Sequence, residues 1–174
     1  MNKTLAFLFL IVLSCAQALA QQDDSPALLA DMELVGSAEF QFLFWKIYEA
    51  ELYSKTGEYS SFEELPLALK LSYRKSFTAE NLLNETEKQF IALGLEAARF
   101  ESWMQQLRNI FVAVNPGDAL LLYIDSRGFS HFYYNEEFLG SIPNADFSQQ
   151  FSAIWLARED RYADFSQRLK GGGS

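Results

Sequence analysis

Asn115-Pro116-Gly117-Asp118-Ala119-Leu120-Leu121-Leu122-Tyr123-Ile124-Asp125-Ser126-Arg127-Gly128-Phe129-Ser130-His131-Phe132-Tyr133-Tyr134, continued through Asn135-Glu136 to Glu137-Phe138-Leu139-Gly140-Ser141-Ile142, decides the fold. In Asn115-Pro116-Gly117-Asp118 the proline presets φ at the second position and the glycine accepts φ > 0 at the third, which makes a tight turn. Ala119–Ile124 follows as a first strand. Asp125–Gly128 closes a hairpin with Gly128 in the left-handed region, and Phe129–Tyr134 is the second strand. Asn135-Glu136 turns the chain again into the third strand, Glu137–Ile142. Apolar residues on both faces of the first strand predict a central position, covered on both sides or with one face lining a ligand cleft.

Working outward, Met32–Phe42 and Leu43–Tyr53 read as two strands with a tight reversal near Phe42-Leu43. In the second of them Lys46, Tyr48, Ala50 and Leu52 share one side, and Trp45, Ile47, Glu49, Glu51 and Tyr53 the other. This aromatic density is either sheet core or the wall of an apolar pocket. Ala68–Ser76 alternates as a further strand, with Leu69, Leu71, Tyr73 and Lys75 on one face and Lys70, Ser72, Arg74 and Ser76 on the other. Thr78 caps a helix that has Glu80 in its first turn, an inward stripe of Leu82, Leu83, Thr86, Phe90 and Leu93, and Gly94 as its stop. A second helix is predicted over Ala97–Val112, with Phe100, Trp103, Met104, Leu107, Ile110 and Phe111 inward. Pro143–Asp146 opens a third helix carrying Phe147, Phe151, Ile154 and Trp155, and Asp160–Leu169 forms a fourth. Strands, helices, strands and helices joined through hairpins give an α+β fold with a mostly antiparallel sheet.

The chain of 174 residues is 49% apolar, enough for one domain with a substantial core. A net charge of −9 with no basic cluster argues against nucleic acid and anionic membrane surfaces as partners, and no nucleic acid is expected. Residues 1–20 read as a leader: Lys3, an apolar run from Leu5 to Leu13, and Ala18-Leu19-Ala20 before Gln21. That run is too short to stay in a bilayer, so the expected mature chain begins at Gln21, lacks a transmembrane segment and is periplasmic or secreted. The alternative is a lipoprotein cut before Cys15, within Val12-Leu13-Ser14-Cys15. Cleavage at Ala20 leaves no cysteine, hence no disulfide, thiolate metal site or cysteine nucleophile. Residues 21–33 form a lead-in, 34–170 the domain, and Gly171-Gly172-Gly173-Ser174 a flexible tail.

No cofactor or metal site is predicted. His131 is the one histidine, in mid-strand, and is expected to be a hydrogen-bonded structural residue. No nucleophile elbow, zinc-protease motif, phosphate loop or Cys-His spacing occurs. Glu63-Glu64 and Glu136-Glu137 are solvated neighbours that point apart. Asn84-Glu85-Thr86 fits a glycosylation acceptor but falls inside a helix.

Over Leu34–Leu169 the chain resembles the chalcone isomerase-like family, in its exported bacterial branch. The likeness rests on the order and spacing of Val35-Gly36-Ser37, Lys46-Ile47-Tyr48-x-Ala50-x-Leu52-Tyr53, Tyr73 to Leu82, Trp103-x-x-x-Leu107, Pro116-Gly117-Asp118, Phe132-Tyr133-x-Asn135, Leu139-Gly140 and Ile154-Trp155-Leu156. The resemblance implies an open-faced β-sandwich, a large antiparallel sheet carrying a layer of helices, with the ligand cleft between them. Plant members cyclise a chalcone to a flavanone; other members bind fatty acids in the same cleft, and others act only as partners. The enzyme holds the developing anionic oxygen with an arginine in the first hairpin, but Val35–Trp45 contains no arginine or lysine. The position that is threonine in the isomerase and tyrosine in fatty-acid binders falls at Tyr48. The tyrosine that opens the first helix falls at Thr78, and the asparagine seven residues later at Glu85.

The resemblance therefore implies a non-catalytic exported protein that binds a small apolar or amphipathic, fatty-acid-like ligand. Tyr48 and Thr78 are its expected polar contacts and Tyr73, Trp103 and Leu107 its apolar wall; the last two could equally be core. Arg74 or Lys46 would have to replace the missing hairpin arginine. One alternative is an isomerase or intramolecular lyase with an altered site, for which Glu85 is the candidate catalytic group. Another is a structural or partner-binding module whose cleft is filled.

Overall fold

In the computed structural model, which describes residues 27–172, the six strands are β1 (Glu33–Phe42), β2 (Trp45–Ser54), β3 (Leu67–Tyr73), β4 (Ala119–Ile124), β5 (Ser130–Tyr134) and β6 (Glu137–Ile142). They form one sheet in chain order, every neighbour antiparallel. Two helices, α1 (Ala79–Ala92) and α2 (Ala97–Arg108), are inserted between β3 and β4, which still pair from Leu67↔Ile124 to Ser72↔Ala119. α3 (Ala145–Leu156) and α4 (Ala163–Leu169) follow the last strand. The expected leader, Cys15 and the last two residues of the tail lie outside the described residues.

The helices cover one face of the sheet. Leu52, Leu69, Leu71, Leu122 and Phe132 on that face meet Phe90, Trp103, Leu107, Phe147 and Phe151 from α1, α2 and α3 in one core. Fully burying a side chain such as Phe90 or Phe147 is worth about 1.5–3 kcal/mol, and this term holds the two layers together. The opposite face is open except for a small cluster of Leu29, Ala68 and Leu121, reached by a 3-10 turn at Ala27–Leu29. This division explains the two-sided apolarity of β4: Leu120, Leu122 and Ile124 belong to the main core and Leu121 to the outer cluster.

The turns carry their own chemistry. Gly117 (φ 96) and Gly128 (φ 79) take the left-handed conformation expected of them. Asp118 locks the first turn: its carboxylate accepts from the Asn115 amide at 2.7 Å, the Tyr134 hydroxyl at 2.9 Å and Asn135 Nδ2 at 3.0 Å. Asp125 does the same for the next, accepting from the Arg127 amide (2.9 Å), the Phe129 amide (3.0 Å) and the ring of His131, whose Nε2 lies 3.2 Å away. His131 is thus a hydrogen-bonded strand residue.

At three places a predicted boundary shifts by three residues or more, each for a local reason. β3 ends at Tyr73 rather than Ser76, and Phe77 instead bridges Val114. That bridge draws the chain back to the sheet, so α2 stops at Arg108 and not at Val112. α4 begins at Ala163 rather than Asp160, because Asp160 is spent on accepting from the Tyr162 amide and clamping Arg158. At its other end Gly171 (φ 78) and Gly172 donate to the Arg168 and Gln167 carbonyls. These first two residues of the expected tail close the helix against Val35 of β1.

Candidate functional site

A cavity of about 880 Å³ opens between the sheet and the helix layer. Its floor is built by β3 and β4, which present Leu69, Leu71, Tyr73 and Leu122, and by Phe151 and Ile154 of α3. One side of α1 supplies a polar rim from Asn81 to Gln89, and the segment after α3 supplies Arg158, Asp160, Arg161 and Tyr162. The volume lies within the roughly 300–1,000 Å³ of ligand clefts, and an apolar floor with a few polar groups is their usual chemistry. The cleft is not filled by side chains.

Tyr48 is a half-buried polar group on the wall of this space. Strand alternation turns it to the same side as Ala50 and Leu52. Its ring stacks on Phe40 at 5.0 Å and meets Tyr73 edge-on at 5.7 Å. Its hydroxyl accepts the indole N–H of Trp155 at 3.1 Å. Burial pushes the Tyr48 phenol well above its ordinary value, against the Trp155 hydrogen bond and the nearby Arg158 charge, which pull it down. Burial does the same to Tyr73. Both are neutral at physiological pH, so Tyr48 keeps a hydroxyl proton to donate.

Arg158 supplies the charge. Its side chain is 14% exposed. Nε and Nη2 grip Asp160 at 3.0 and 2.7 Å, while Nη1 reaches Gln89 Oε1 at 3.2 Å and the guanidinium lies over Tyr162 at 4.7 Å. The bidentate Asp160 contact holds the Arg158 pKa above its usual value. Arg161 lies next to it, over Tyr162 at 4.8 Å and Phe42 at 5.9 Å. Among the described residues Arg161 has no ion-pair partner.

The residues singled out from the sequence divide. Tyr48 and Tyr73 line the cavity, and Glu85 stands on its rim, accepting from Gln89 Nε2 at 2.7 Å. Thr78 is outside it and works as the cap of α1: its hydroxyl accepts from the Asn81 amide while Asn81 Oδ1 accepts from the Thr78 amide, both at 3.1 Å. Trp103 and Leu107 are core, Trp103 packing edge-on to Phe90 and Phe147. Arg74 pairs with Glu49 at 3.2 Å and Lys46 with Glu39 at 2.8 Å, both exposed and neither lining the cleft. The cations that line the cleft are Lys88, Arg158 and Arg161, which sequence reasoning missed. A signal existed: Arg158 continues the helical stripe of Phe147, Phe151 and Ile154 by one more turn. Among the described residues no group of three or more His, Cys, Asp or Glu is placed to hold a metal, and no helix is long and apolar enough to cross a membrane.

An antiparallel sheet covered on one face, with a cleft beneath the cover, defines an open-faced α+β sandwich with an internal binding space. The chalcone isomerase-like family pattern matches residues 20–171, and the chain belongs to that family. It is 29% identical over 147 residues to an uncharacterised protein of Haemophilus influenzae, covering 84% of this chain and 72% of that protein. Its fold matches the crystal structure of an Arabidopsis thaliana fatty-acid binding protein with a TM-score of 0.63 at 10% identity, over 82% of this chain and 88% of the other.

Proposed function

We propose that the protein is a non-catalytic carrier or sensor of a fatty-acid-like amphiphile, held in the cleft between sheet and helices. The observation that carries this reading is an apolar floor bordered by polar groups that include a half-buried cation. A hydrocarbon tail would lie along Leu69, Leu71, Leu122 and Phe151, and the head would meet the Tyr48 hydroxyl and the Arg158 guanidinium. The plant protein of the same fold is a fatty-acid binder, which supports the ligand class. The leader read in residues 1–20 supports a further proposal, that binding takes place after export.

The test is native mass spectrometry of the full chain purified from cells, followed by organic extraction of whatever is released. A stoichiometric long-chain acid or related amphiphile is the expected result. An apo mass, together with no thermal shift on adding fatty acids, would overturn the reading.

A further inference from the structure

The β1–β2 hairpin ends in four apolar residues, Phe42, Leu43, Phe44 and Trp45, that are 47, 75, 96 and 58% exposed. Leu43 also holds φ 55 at the turn, a left-handed conformation suited to glycine or asparagine and strained in a leucine. A turn serving only to reverse the chain would be more stable and more soluble with a small polar residue there. The tip thus keeps exposed hydrocarbon at a conformational cost.

Cations surround it. Lys75 Nζ sits 4.1 Å from the Trp45 ring and the Arg161 guanidinium 5.9 Å from the Phe42 ring. Among the described residues neither has an ion-pair partner, in a chain of net charge −9. Leucine and phenylalanine at an exposed apex, a tryptophan one residue back, and free cations on the ring faces match the layers of a lipid surface: acyl chain, interface, phosphate.

We propose that this hairpin tip inserts into the surface of a lipid bilayer, with Leu43 and Phe44 among the acyl chains and Lys75 and Arg161 at the lipid phosphates. The overall negative charge would keep the rest of the molecule off an anionic surface and so orient it tip-down. Phe42 and Arg161 also line the cavity, so a docked tip places the mouth of the cleft at the membrane. Docking stands on the hairpin alone. That it loads the cleft rests on the ligand reading above.

The test uses vesicles of phosphatidylethanolamine and phosphatidylglycerol with brominated acyl chains and no added ligand, so its failure is separate from a failure of ligand binding. Bromine is expected to quench tryptophan emission in the wild type. W45F should lose the quenching while still binding, which places the signal at Trp45 whatever else touches the lipid. L43N/F44S should lower the quenching by about tenfold or more while keeping or raising the thermal midpoint, since it relieves the turn as it removes the hydrocarbon. Absence of quenching in the wild type would overturn the proposal, as would quenching that L43N/F44S leaves intact. A dimer without lipid that L43N/F44S abolishes, with no bromine quenching, would overturn it in favour of a second copy of the chain.

Discussion

The indole of Trp155 on α3 donates to the hydroxyl of Tyr48 on β2 at 3.1 Å, a hydrogen bond between helix layer and sheet inside the cleft. It orients the Tyr48 oxygen and leaves the hydroxyl proton for something else in the cavity. Tyr48→Phe strands the indole N–H and removes that donor. A stability loss of about 1–2 kcal/mol is expected in urea titrations. A drop of about tenfold in fatty-acid affinity, some 1.4 kcal/mol, should accompany it. If affinity is unchanged in a displacement titration, Tyr48 does not touch the head group.

Arg158 and Asp160 make an opposite-signed pair of predictions. Arg158 spends two of its donors on Asp160, so a ligand carboxylate competes with that side chain for the same cation. Arg158→Gln should weaken a long-chain acid by about tenfold or more while changing the matching alcohol little. Asp160→Asn should tighten the acid, because it frees the guanidinium. Calorimetry on both variants checks this; equal losses for acid and alcohol would remove Arg158 from head-group recognition.

Gly36 is fixed by a crossing. It lies in β1 at a register shift, where the end of α4 passes over the strand; an added Cβ would fall 2.4 Å from the Arg168 carbonyl oxygen and 2.9 Å from both Leu169 O and Gly171 N. These are backbone atoms that cannot rotate aside. Gly36→Ala should therefore cost about 1–3 kcal/mol, read as a lowered urea midpoint. A neutral result would mean that α4 can lift from β1 without penalty.

Much of this was legible because local signals agreed. Pro116-Gly117, Gly128 and Asn135-Glu136 fixed the three-strand meander to within a residue, and Thr78 with Gly94 bracketed α1. Which residues share a face was legible too, though not which face meets the helices: period-two alternation grouped Tyr48 with Ala50 and Leu52, and Tyr73 with Leu69 and Leu71. What escaped depends on contacts distant in sequence. Whether Trp103 lines a cleft or fills a core turns on where α2 and α3 cross, and no spacing within α2 encodes that. Thr78 and Arg74 sit at the right place in the chain, but a cap claims the first and Glu49 the second. Arg158 follows the last turn of α3, and its place at the cleft depends on contacts with Gln89 of α1 and with Asp160 that no spacing within α3 encodes.

The β5–β6 turn offers a stabilising change. Asn135 (φ 45) and Glu136 (φ 73) are both left-handed, as a two-residue hairpin with right-handed twist requires. Asparagine tolerates this; glutamate pays a steric penalty and its side chain is exposed. Glu136→Gly should raise stability by roughly 0.5–1 kcal/mol, the strain relieved less the extra freedom of glycine in the unfolded chain. A lower thermal midpoint would show that Glu136 makes a compensating contact.

Asp125 sets an acid dependence whose sign can be worked out. Burial works against its carboxylate, but the amides of Phe129 and Arg127, the Arg127 guanidinium and His131 together hold its pKa well below the usual value. A group whose folded pKa is depressed contributes stability that is complete above the unfolded pKa, near 3.8, and is lost as pH falls through the folded one. Asp125→Asn keeps the shape but turns a donor toward Arg127 and His131. At neutral pH it should be less stable than the wild type by about 1–2 kcal/mol. As pH falls below about 5 the gap should narrow, because the unfolded wild type takes up a proton at Asp125 that the folded protein, with its depressed pKa, does not. Urea midpoints of both proteins at several pH values above and below that point give the answer. Parallel curves would assign the wild type's acid sensitivity to other carboxylates, leaving Asp125 as a turn residue whose charge is immaterial.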